Sequence, residues 1–109
     1  MSTPMDFDLI ITIVNRGFAS EVVSAAKEAG AEGGTIINGR GTGVHEQAKL
    51  FGITIEPEKE IILTFVDRSK TAGIIAAVTE AVGLDNPGKG VAFVLPVSQA
   101  IGICHLQTK

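Results

Sequence analysis

In the stretch "GRGTG", residues 39–43, three glycines alternate with an arginine and a threonine. Gly39, Gly41 and Gly43 let backbone N–H groups approach a bound anion closely, and Arg40 can add a bidentate charge. A phosphate suits such a turn. The dinucleotide-binding fingerprint is excluded, because it needs a third glycine where Val44 stands and a helix where a long loop follows. The same glycines also read as residues that merely relax a strand end, and the pattern by itself leaves both readings open.

A second turn, "GLDNPGKG", spans 83–90 and matches a phosphate-binding loop only up to its lysine. That loop needs a serine or threonine where Gly90 stands, with a strand before it and a helix after it; here the order is reversed. What remains is Lys89 between Gly88 and Gly90, which reads either as a glycine nest with a cation or as a plain helix-to-strand turn built on "NPG".

Other reactive side chains form no recognisable constellation. His45, Glu46 and His105 lack the spacing of a metal site, so no metal is expected. Cys104 precedes His105, but neighbours on a strand point to opposite faces, which argues against a thiolate–imidazole pair. Glu56, Glu58, Lys59 and Glu60 read as a solvated loop edge. No residue is assigned a catalytic role, and the chain is not expected to be an enzyme.

The elements that hold these turns must come from one small domain. The chain has 109 residues, 45% of them apolar and only 5% aromatic, so the core is expected to consist of Ile, Val, Leu and Ala. A net charge of -3 and the lack of any basic run argue against nucleic acid as a partner. The single cysteine excludes an intrachain disulfide, and neither a basic leader nor a membrane-length apolar run is seen. A cytoplasmic location is expected.

"FDLIITIV" reads as a strand covered on both faces, and residues 18–29 carry apolar side chains at helical spacing up to Gly30. "GTIING" and "EIILTFV" read as a second and a third strand. Asp67 or Ser69 can cap a second helix carrying Ile74, Ile75, Ala77, Val78, Ala81 and Val82 and closed by Gly83. "VAFVLPV" is a fourth strand, whose regular pairing Pro96 is expected to end. The order βαββαβ predicts a ferredoxin-like α+β sandwich: a four-stranded antiparallel sheet with two helices on one face. Strands apolar on both faces then leave one face uncovered, which predicts a homo-oligomer. Residues 41–58 form the longest irregular connection, expected to be mobile without a partner.

Together, the βαββαβ order, the Gly-Arg-Gly opening a long loop, the glycine turn before the last strand and "FVLPVSQAIGI" after it resemble the PII signal-transduction family, the nitrogen regulatory proteins, from Phe7 to Leu106. The resemblance implies a compact homotrimer with adenine nucleotides (AMP, ADP or ATP) as effectors in clefts between subunits. It also implies a T-loop, here 41–58, that docks on a regulated protein such as a membrane transporter or metabolic enzyme, and a B-loop, here 83–90. The effector-binding residues on that basis are Gly39, Arg40, Gly41 and Thr42 from one turn and Gly88, Lys89 and Gly90 from the other.

The chain departs from the family pattern at several cations. Gly102 and Cys104 stand where the family carries two phosphate-gripping arginines, Thr42 and Gly43 where an arginine–glutamine pair follows the glycines, and Val91 where the B-loop lysine falls. These losses favour a ligand with one or two phosphates over ATP with 2-oxoglutarate. The chain contains no tyrosine, so T-loop modification of a phenol is ruled out; Phe51 has the ring without the hydroxyl. The function expected is that of a signalling regulator. The alternatives are a small ferredoxin-like trimeric enzyme or metal-binding protein, and a purely structural oligomer.

Overall fold

The computed structural model describes residues 6–42, 48–50 and 52–102. In chain order they form β1 (Phe7–Asn15), α1 (Ala19–Glu28), β2 (Thr35–Arg40), β3 (Ala48–Leu50), β4 (Ile53–Ile55), β5 (Glu58–Asp67), α2 (Arg68–Val82) and β6 (Gly90–Val97). The main sheet has the order β2-β5-β1-β6 with every neighbouring pair antiparallel, and β3 and β4 pair separately as a hairpin. This is the expected ferredoxin-like sandwich.

Alternation along the two central strands decides where the core lies. Ile10, Thr12 and Val14 of β1 and Ile62, Thr64 and Val66 of β5 are buried beneath the helices. Val22 and Ala26 of α1, with Ile74, Val78 and Val82 of α2, fill the other side of that layer at the four-residue repeat that keeps side chains on one helix face.

Each helix is fixed by specific end contacts. Phe18, at the N-cap of α1, offers no side-chain oxygen. Glu60 of β5 replaces it: its Oε1 accepts from the N–H groups of Gly17 and Ala19, both at 2.9 Å, satisfying donors that a helix start leaves orphaned. The N-cap of α2 is Asp67, whose Oδ1 accepts from Ser69 Oγ at 2.7 Å and Ser69 N–H at 2.8 Å. Those two bonds, side-chain first, hold its carboxyl below the ordinary carboxylate range. Gly83, left-handed at φ 71°, closes the helix. Buried Asp8 ties the start of β1 to α2, accepting from Arg68 Nε at 3.0 Å and Thr71 Oγ1 at 2.8 Å.

Two sequence expectations need correction. The 41–58 connection is not irregular throughout, because it contains the β3–β4 hairpin, with Gly52 at positive φ beside its turn. Pro96 does not end the last strand: β6 runs to Val97, with Asp8 opposite Pro96 and Phe7 opposite Val97. As an edge strand, β6 has one row of N–H groups without ladder partners, and a proline is accommodated there.

The opposite face of the sheet is apolar and, among the described residues, carries no helix. Leu9, Ile11 and Ile13 of β1 lie in register with Phe65, Leu63 and Ile61 of β5 and with Leu95, Phe93 and Val91 of β6. Ile37 of β2 extends the patch beside Ile61. Phe93 is 51% exposed, Leu95 46% and Ile37 44%. Among the described residues, no helix is long and apolar enough to cross a membrane.

One buried group on the covered face is unsatisfied. Thr12 is 1% exposed and its Oγ1 has no hydrogen-bond partner among the described residues. A buried hydroxyl left unpaired costs about 1–3 kcal/mol. Thr12→Val, which keeps the branched shape, is therefore expected to raise unfolding stability by about 1 kcal/mol or more in denaturant titration.

Candidate functional site

Both glycine turns lie at one end of the sheet, on opposite edges. Gly39 and Arg40 end β2, paired with Lys59 and Glu58 of β5, and Gly41 and Thr42 follow directly. Gly88 and Lys89 precede β6, which begins with Gly90 opposite Val14 of β1. Three strand spacings, roughly 14 Å, separate the two edges, so one chain does not bring the turns into contact.

Between them runs a polar row that motif reading missed. Lys59 pairs with Gly39 on one side and with Asn15 of β1 on the other. Lys59 Nζ donates to Asn15 Oδ1 at 2.6 Å, and Asn15 Nδ2 donates to the carbonyl of Gly88 at 3.2 Å. Lys59 is thus aimed towards the second turn, on the same sheet face as Gly39. Arg40 pairs with Glu58, in alternation with Asn38 opposite Glu60 and Ile36 opposite Ile62, and so belongs to the helix-side face, although all three are exposed at this edge. The two cations highlighted in the sequence, Arg40 and Lys89, are exposed but belong to opposite edges.

The glycines differ in what they do. Gly90 has φ 143°, and a Cβ there would lie 2.6 Å from the Ile13 carbonyl oxygen. It is needed for the approach of β6 to β1. Gly88 also has positive φ, 79°, but opens onto free space, as does Gly41 in an ordinary conformation. There is therefore room beside the backbone at Gly88 and Gly41, whereas Gly90 is required by packing.

The foot of the 41–58 segment is fastened to the same end of the sheet. Gly41 N–H donates to the Pro57 carbonyl at 3.1 Å, and Arg16 N–H to the Glu58 carbonyl at 3.2 Å. Arg16 Nη1 also pairs with Glu58 Oε1 at 2.9 Å, both side chains being largely exposed. The residues expected to form a solvated edge therefore have separate roles: Glu58 anchors the foot, Lys59 joins the polar row and Glu60 caps α1. Gly43, His45, Glu46, Cys104 and His105 lie outside the described residues. Among the described residues, no three His, Cys, Asp or Glu side chains are grouped to hold a metal ion.

The family profile described as nitrogen regulatory protein P-II matches residues 7–105. No curated protein matches the chain. Among solved structures, Arabidopsis thaliana PII bound to citrate superposes with a TM-score of 0.70 at 24% identity, covering 95% of this chain and 88% of that one. A Bacillus cereus protein related to NIF3 superposes with a TM-score of 0.68 at 22% identity over 90% of this chain. This chain spans only 27% of the length of that Bacillus protein. At such identities, the two structures testify to a shared fold.

The contrast between glycines is directly measurable. Gly90→Ala is expected to lose about 2–3 kcal/mol of stability, from positive φ combined with a backbone clash. Gly41→Ala should change stability by less than about 1 kcal/mol, since space and φ both admit a methyl group. Thermal unfolding of both variants tests the assignment.

Proposed function

This chain belongs to the nitrogen regulatory protein P-II family, and we propose that it acts as a homotrimeric, cytoplasmic signalling regulator. It binds a small anionic effector, an adenine nucleotide, in clefts between subunits. Segment 41–58 serves as the T-loop that meets the regulated protein, a transporter or metabolic enzyme, and 83–90 serves as the B-loop.

The observation that carries this reading is the placement of the two turns: one end of the sheet, opposite edges, beside an uncovered apolar face. Association through that face sets the β2 edge of one copy near the β6 edge of another, so that a cleft draws Gly39, Arg40, Gly41 and Thr42 from one subunit and Gly88, Lys89 and Gly90 from its neighbour. The open space over Gly41 and Gly88 admits a phosphate or carboxylate close to the backbone.

Ligand preference follows from the available cations. Arg40 and Lys89 are the exposed cations within the two turns, Lys59 being held by Asn15 and Arg16 by Glu58, and a fully charged triphosphate calls for more. Each charge-assisted contact is worth about 1.5–3 kcal/mol. A nucleotide with one or two phosphates is therefore favoured over ATP. Citrate, present in the Arabidopsis relative, carries comparable negative charge and is a second ligand to try.

Calorimetric titration with AMP, ADP, ATP, cyclic nucleotides and citrate, with and without magnesium and 2-oxoglutarate, tests this reading. AMP or ADP is expected to bind more tightly than ATP. Tight magnesium-ATP binding that depends on 2-oxoglutarate would contradict the preference, and no nucleotide binding at all would contradict the effector assignment.

A further inference from the structure

Asn15 occupies a position that links both candidate functional segments. Its Nδ2 reaches the Gly88 carbonyl in the 83–90 turn at 3.2 Å, a contact across 73 residues of sequence. Its Oδ1 accepts from Lys59 at 2.6 Å, one residue from the foot of 41–58. Arg16, the next residue, holds that foot twice, through the Glu58 carbonyl and the Glu58 carboxylate. The end of β1 therefore touches the second glycine turn on one side and the base of the long segment on the other.

An amide suits this place because it offers a donor on one atom and an acceptor on the other. A carbonyl in the turn needs the donor, and an ammonium on β5 needs the acceptor. Gly88, at φ 79° with nothing within 4 Å of where a Cβ would stand, has room for its carbonyl to reorient.

We infer that Asn15 is a positioning residue that couples the state of the 83–90 turn to the fastening of the 41–58 foot. Reorientation of the Gly88 carbonyl releases the Asn15 amide. Asn15 then shifts against Lys59, and Arg16 shifts with it, loosening the bonds to Glu58 and Pro57. The regulatory meaning of this coupling rests on the proposed effector site at the turn, but its physical content does not.

A ligand-free double-mutant cycle tests it, read by amide hydrogen exchange at Arg16 and Gly41, with Val22 in α1 as the control amide. Gly88→Ala strains the turn without a steric clash. In the wild-type background it is expected to speed exchange at Arg16 and Gly41 by about 2- to 5-fold, leaving Val22 unchanged. Asn15→Asp keeps the acceptor for Lys59 and removes the donor to Gly88; in that background Gly88→Ala should leave both amides unaltered. Asn15→Ala, which removes both bonds, should abolish the response equally. A response of equal size in all backgrounds overturns the coupling, as does no response at Arg16 and Gly41 in the wild-type background. A change at Val22 matching theirs also overturns it, because global destabilisation then explains the effect. Because no ligand enters the cycle, the coupling and the nucleotide assignment can fail independently.

Discussion

A sheet that is apolar on both faces, with helices enough to cover only one, is the constraint on which the remaining architecture depends. Ile10, Val14, Ile62 and Val66 find their partners in α1 and α2. Leu9, Ile11, Ile13, Leu63 and Phe93, one residue out of phase, find no helix to cover them among the described residues. The hydrophobic effect scales with apolar area removed from water, at about 25 cal/mol per Å², so this face favours burial against something. The proposed trimer meets that demand with further copies of the same surface, and in doing so gives the separated sheet edges a reason to be functional.

The other organising feature is the end of β1. Two consecutive residues, Asn15 and Arg16, make side-chain contacts with the 83–90 turn, with Lys59 and with Glu58. The first turn of α1 begins at Ala19, with only Gly17 and Phe18 between, and is capped by Glu60 from the same stretch of β5. Residues 58–60 thus serve three neighbours in succession, and alternation along a strand explains how. Lys59 shares a face with Gly39 and Asn15, whereas Glu58 and Glu60 lie on the helix side.

Local signals made much of this legible in advance. Gly30 and Gly83 mark helix ends because positive φ is a local requirement, and Asp67 caps α2 because its carboxylate reaches an N–H two residues on. The strand order followed from the alternation of elements. What stayed hidden depends on contacts between distant segments. The pairing of Lys59 with Asn15 spans 44 residues and is set by strand register. Charged residues 58–60 look like a loop until their partners across the sheet are known. Pro96 looks like a stop until β6 is seen to be an edge. The packing demand for a glycine at position 90 is likewise hidden until the Ile13 carbonyl is found 2.6 Å from where its Cβ would be.

The claim that other copies of the chain cover the open sheet face is tested most directly by light scattering coupled to gel filtration at micromolar concentration. A mass three times that of the 11.3 kDa chain is expected, with a fall to the single-chain mass for Phe93→Asp, which places a charge on that face. A monomeric wild-type protein, or a trimer indifferent to Phe93→Asp, would contradict it.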